Sequence, residues 1–146
     1  MFYSLQVLPI WEGTSSVMSL DVIRAIYKTK GEAVIALKSH VDSVVDGASH
    51  VPVLVSSGDQ VSAAMADIVT CVQRHQDNIQ TMARDLTVSI AHTYIAALLL
   101  EHAMVTMSAS DVHVANTWCS SRKLCTISLD QSNYNSQTCE QVNRVN

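Results

Sequence analysis

The sequence predicts an all-α fold: an antiparallel bundle of about five helices with a polar, poorly ordered tail. Three observations lead there. Apolar residues recur at spacings of three and four along most of 14–125. Among 146 residues there are only 4 glycines and 2 prolines, too few for a turn-rich β sandwich. The chain is 48% hydrophobic but only 5% aromatic, so one domain has a core of Val, Ile, Leu, Ala and Met.

Residues 1–13 read as an apolar lead-in segment that ends in a loop, with Pro9 as the break and Gly13 free to take backbone angles closed to other residues. The helical domain spans 14–125. Thr14, Ser15 and Ser16 are all good N-caps, so a first helix is expected over 16–30, with Val17, Leu20, Ile23 or Arg24, and Tyr27 on one face. Lys28 and Lys30 suit its C-terminal dipole, and Gly31 suits its stop. A second helix is expected over 32–46, striped by Ala33, Leu37, Val41, Val44 and Val45 and ended by Gly47. Residues 48–58 contain VPVLVSS; without a second strand signal they read as an interhelical loop with an apolar plug.

The third helix, over 59–76, carries Val61, Ala64, Met65, Ile68, Cys71 and Val72 in helical period. The fourth and longest, over 77–107, carries Met82, Leu86, Ile90, Tyr94, Ile95, Leu98, His102 and Val105. A break at 108–111, capped by Ser108 or Ser110, leads to a fifth over 111–125 with Val112, Ala115, Trp118 and Cys119 inward. Residues 126–146, rich in Ser, Asn, Gln and Thr, read as the polar tail.

Several functions are disfavoured. A net charge of −4 argues against wholesale nucleic-acid binding. The longest apolar run, 94–100, falls far short of the roughly 20 residues of a membrane span. Cys71, Cys119, Cys125 and Cys139 make no Cys-x-x-Cys pair, and the N-terminus lacks the pattern of a signal peptide. The expectation is a soluble, reduced, intracellular protein, with mitochondrion, peroxisome and cytoplasm not separated. The abrupt opening of the chain reads as a start inside a longer protein.

The densest chemistry lies in LPIWEGTSSVMSLDVIR, residues 8–24. Glu12 sits between Ile10 and Trp11 on one side and Gly13 on the other. Partial desolvation there would make it a stronger base than a solvated carboxylate; the plainer reading is a solvated Glu ahead of a capped helix. The helix that follows offers free N–H groups and a positive dipole end to an anionic oxygen, although capping alone accounts for one hydroxyl among Thr14, Ser15 and Ser16. Arg24 lies about two turns beyond Ser16 on roughly the same face. It either needs a buried anion or pairs with a nearby acid at the surface. His40, His50, His75, His92, His102 and His113 show no metal-ligand spacing, so no metal is expected. Neither a nucleophile elbow nor a phosphate loop is present. Arg24, Lys28, Lys30 and Lys38 outnumber Glu32 and give a small positive patch.

The stretch 8–24 resembles the C-terminal signature of flavin-dependent acyl-CoA dehydrogenases, in which an aromatic-Glu-Gly-Thr segment opens the long C-terminal helices. Trp11 and the LDVIR run at 20–24 look most like the adaptive-response (alkylation-response) branch, and ASDVHVANTWC at 109–119 is similar to that branch's penultimate helix. The resemblance implies the fold of an acyl-CoA dehydrogenase C-terminal domain and the α,β-dehydrogenation of an acyl-CoA thioester with FAD. It implies Glu12 as catalytic base, with its backbone N–H on the thioester carbonyl. It implies Trp11, Gly13, Thr14, Ser15, Ser16 and Val17 as cofactor contacts, and Gly13 and Arg24 as substrate contacts. The branch usually has Asn at position 16, so Ser16 departs from the pattern. A homo-oligomer, tetrameric in the family, is also implied. The family's N-terminal and middle domains, which hold most of the flavin and substrate, have no counterpart in these residues, so the chain alone is expected to be inactive and free of FAD. The competing reading is a non-catalytic module for oligomerisation or acyl-chain binding, to which the apolar N-terminus and the VPVLV loop are suited.

Overall fold

In a computed structural model of the chain, residues 15–74, 79–121 and 123–127 are described. They form five α-helices: α1 Ser15–Lys28, α2 Glu32–Ser49, α3 Val55–Arg74, α4 Ala83–Thr106 and α5 Ala109–Ser121. There is no strand among the described residues. The lead-in segment and loop (1–13), Thr14 and the tail from 128 onward lie outside them.

The first reversal is built from backbone alone. Gly31 N–H donates to the Ile26 carbonyl at 2.9 Å and Lys30 N–H to the Tyr27 carbonyl at 3.0 Å, the paired bonds of a Schellman motif. The left-handed position of that motif, usually glycine, is filled by Lys30 at φ 50°, and Gly31 follows at φ 85°. The expected stop is therefore one residue earlier than the glycine, and the two consecutive left-handed residues swing the chain directly into α2.

Helix α4 is the axis of the bundle: α1, α2, α3 and α5 all pack on it. Helices α2 and α4 run side by side, His40 meeting Tyr94 edge-on at 5.9 Å between ring centroids. Further along, the space beside Gly47 is filled by the Met104 sulfur. Helix α5 returns antiparallel to α4, so that Trp118 lies across His92 and the Thr106 hydroxyl donates to Asp111 at 2.7 Å. Among the described residues, α4 is the helix long and apolar enough to cross a membrane by length and composition. Its place among four partners supplies a second reason for that composition.

Several sequence expectations need correction. In α1 the predicted Ile23 is buried and Leu20 packs on the core, but Val17 and Tyr27 are half-exposed and Ser19 and Ile26 take their place in the core face. Gly47 does not end α2, which continues to Ser49. On α2, Val34, Val41, Val44 and Ala48 face the core, and Ala33 is exposed. The apolar plug is real but short: Leu54 is fully buried, Val53 is exposed, and α3 already begins at Val55.

The stripe of α3 is as predicted, with Val61, Ala64, Met65, Ile68 and Cys71 buried and Val72 partly so. Helix α4 differs most. Its core face is Ala83, Leu86, Ser89, Thr93, Ala96, Ala97, Leu100 and Ala103, while Tyr94, Ile95, Leu98 and Val105 lie outward. A helix surrounded by four others must let their backbones approach, and small side chains permit that where a second bulky stripe does not. The α4–α5 break falls at Met107–Ser108, not at 108–111, with Met107 in the left-handed region.

Two polar clamps finish the bundle. Ser57 donates to the Asn116 side-chain oxygen at 2.6 Å, and Asn116 donates to the Val53 carbonyl at 3.0 Å. Together they tie the start of α3 to α5. Beyond α5, Leu124 and Ile127 are buried and Thr126 N–H donates to the Ser89 hydroxyl at 2.9 Å. Packed chain thus extends two residues past the predicted start of the tail, because Ser89 offers a buried hydroxyl that a backbone N–H can satisfy.

Candidate functional site

The signature stretch enters the described structure at the first turn of α1. Ser15 opens the helix and Ser16 and Val17 follow within that turn. No Asp or Glu occupies it, so no carboxylate within that turn complements the positive end of the helix dipole. Val17, 51% exposed, and Met18 beside it present an apolar shoulder to solvent. Trp11, Glu12, Gly13 and Thr14 lie outside the described residues.

Arg24 lies eight residues beyond Ser16, about 12 Å along the axis. Its side chain is 73% exposed and paired with Asp21 on the same helix. Of the two alternatives open from sequence, the surface pair is the one formed. An exposed i,i+3 pair holds the guanidinium weakly, by a fraction of a kcal/mol, and leaves it able to turn to another anion.

Neither Cys71 nor Cys119 is set up as a nucleophile. Burial, with a smaller contribution from Cys125 nearby, raises the Cys71 thiol from 9.0 to about 11. Burial also raises Cys119, opposed by a hydrogen bond with Ser57. A thiol that holds its proton is neither a good nucleophile nor a ready metal ligand. Among the described residues, no group of three or more His, Cys, Asp and Glu side chains is arranged to hold a metal ion.

Residue-by-residue reading missed a groove at the opposite end of α1. A cavity of about 610 Å³ opens between the end of α1, the start of α2 and the end of α3. Three helices supply its lining, so no single periodic stripe announces it. The two left-handed residues at the α1–α2 reversal were its one local signal.

Comparison with known proteins places this helical bundle in a class. Residues 32–145 match the family described as Acyl-CoA dehydrogenase 11 C-terminal domain-like, and the chain belongs to that family. The match begins at the first residue of α2, after the signature and α1. More particularly, the chain is similar to Acyl-CoA dehydrogenase family member 11 of Caenorhabditis elegans, at 31% identity over 129 residues. That alignment covers 82% of this chain and 21% of the relative, so the chain spans about one fifth of the relative's length. The crystal structure of Caenorhabditis elegans ACDH-11 in complex with C11-CoA superposes with a TM-score of 0.77 at 28% identity. It covers 84% of this chain and 22% of the solved one. The five-helix arrangement is thus that of an acyl-CoA dehydrogenase C-terminal helical domain.

Proposed function

We propose that this chain is the C-terminal part of a flavin-dependent acyl-CoA dehydrogenase-like oxidoreductase that oxidises an acyl-CoA thioester between its α and β carbons. The observation that carries this reading is the aromatic-Glu-Gly-Thr signature, which leads directly into a helix of a chain whose following residues belong to the family. The relative's solved complex with C11-CoA supports the substrate class. Trp11 and the LDVIR run favour the adaptive-response branch.

Glu12 is the base, taking the α-proton of the thioester. Its backbone N–H donates to the thioester carbonyl, which acidifies that proton and stabilises the negative charge as it develops. Gly13, without a Cβ, lets the thioester approach the backbone. Bound FAD would supply the hydride acceptor for the β-hydrogen. Trp11 and Val17 supply apolar contact to the cofactor, and Thr14, Ser15, Ser16 and the free N–H groups of the first turn of α1 supply donors to its polar part. The absence of an acid in that turn fits a phosphate-bearing group there. Arg24 exchanges Asp21 for an anionic part of the substrate.

One helix N-terminus gives only part of one wall of a flavin site. The 146-residue chain alone therefore neither retains FAD nor oxidises acyl-CoA. The working protein is an intracellular homo-oligomer. In a protein that joins these residues to flavin-holding domains, Glu12→Gln abolishes dye-coupled oxidation of acyl-CoA while the visible flavin spectrum persists. Unchanged turnover removes Glu12 as base. A stoichiometric flavin spectrum from the 146-residue chain alone removes the dependence on other domains.

A second reading, a non-catalytic assembly module, is favoured by the outward apolar row Tyr94, Ile95, Leu98 and Val105 on α4. Sedimentation of the chain as an oligomer that takes up no flavin supports it, and a monomer argues against it.

A further inference from the structure

We infer that the groove between α1, α2 and α3 binds a straight-chain amphiphile with an anionic head, carboxylate or phosphate. Its floor and walls are Ile26, Val34, Ile35, Val69, Val72 and Ile79. Ile26, Val34 and Ile79 are nearly fully buried, while Ile35 stands open at the rim. The volume of about 610 Å³ falls within the roughly 300–1,000 Å³ of small-molecule sites.

The charged side chains among the described lining residues are both cationic. Lys30 and Lys38 both line it, and no carboxylate does among the described lining residues. Lys38 pairs with Asp42 one turn along α2, an exposed pair that holds it weakly and leaves it able to turn to another anion at the rim. Lys30 holds the left-handed position of the Schellman turn, where glycine is the usual residue and a side chain carries a conformational cost. The turn thus accepts strain while setting an ammonium at the mouth of an apolar slot. Strain of this kind is a pointer to function when the residue also faces a site. A neutral apolar ligand would draw nothing from either ammonium group; an alkyl chain ending in an anion satisfies the slot and the rim together.

This inference does not depend on the flavin chemistry proposed for the other end of α1, because the groove residues take no part in it. The test titrates the 146-residue chain with cis-parinaric acid and displaces the probe with dodecanoate, dodecyl phosphate and dodecanol. Saturable binding, displaced by either anion but far more weakly by the alcohol, is the expected result, and the tighter anion identifies the head group. Lys38→Gln and Lys30→Asn each weaken the anion about tenfold, the scale of one lost charge-assisted hydrogen bond. Asn tolerates the left-handed backbone, so Lys30→Asn leaves Tm unlowered and separates ligand loss from unfolding. The exposed Ile35→Asp adds a carboxylate at the rim and lowers affinity further. Absence of saturable binding, equal displacement by dodecanol, or affinity unmoved in the two lysine variants with helical circular dichroism intact overturns the inference.

Discussion

Helices α3 and α4 lie against each other and obey opposite rules. On α3 the bulky apolar stripe and the core face coincide: Val61, Met65 and Ile68 are buried. On α4 the core face is mostly small or hydroxylated, and its bulky Tyr94, Ile95 and Leu98 stand outward. The difference is one of position. A helix at the side of a bundle gains most by filling space, while the helix at its axis gains by letting four neighbours come close. Apolar periodicity reports hydrophobicity and not available volume, so it reads α3 correctly and holds for α4 at Leu86 and Ile90 but fails at Tyr94, Ile95, Leu98 and Val105.

Substitutions that exchange the two rules break this contrast. Ile68→Ala on α3 opens a cavity at a fully buried site and costs about 2–5 kcal/mol in urea unfolding. Ala97→Leu on α4 adds volume where none is free and costs about 1–3 kcal/mol. If Ala97→Leu is neutral while Ile68→Ala is not, α4 is not the close-packed axis. The Thr93 hydroxyl, 0% exposed, has no hydrogen-bond partner among the described residues. Thr93→Val therefore stabilises the fold by about 1 kcal/mol and raises Tm, whereas a loss of stability would mean that the hydroxyl is bonded.

The last effect is confined to alkaline pH. The folded Cys71 thiol keeps its proton until about 11, whereas its ordinary value is 9.0. Between these values the unfolded chain binds fewer protons, so this contribution is fully present below about pH 9 and is lost as pH rises toward 11. Cys71→Ala flattens that part of the stability profile. An unchanged profile would show that the Cys71 thiol is not desolvated in the folded chain.

The all-helical class and the five elements were legible because Gly and Pro are scarce and caps and periodic stripes recur. The reversal after Lys28 was legible to within two residues; that Lys30 rather than Gly31 takes the first left-handed position depends on backbone bonds no propensity reports. Gly47 misled because the cost of a helical glycine is repaid where Met104 fills the adjoining space. At the candidate site the sequence names residue types and order, Glu12 before a capped helix, and the structure adds an acid-free first turn and the Asp21 partner of Arg24. The groove stayed hidden because its lining is assembled from three helices.

The central chemical claim is that Glu12 removes the α-proton. Its most direct measurement is deuterium exchange at the α-carbon of a saturated acyl-CoA in heavy water, using protein that unites these residues with flavin-holding domains. Exchange with Glu12 present and none with Glu12→Gln, at equal flavin content, is the predicted result. Exchange that proceeds equally in both proteins would contradict the account.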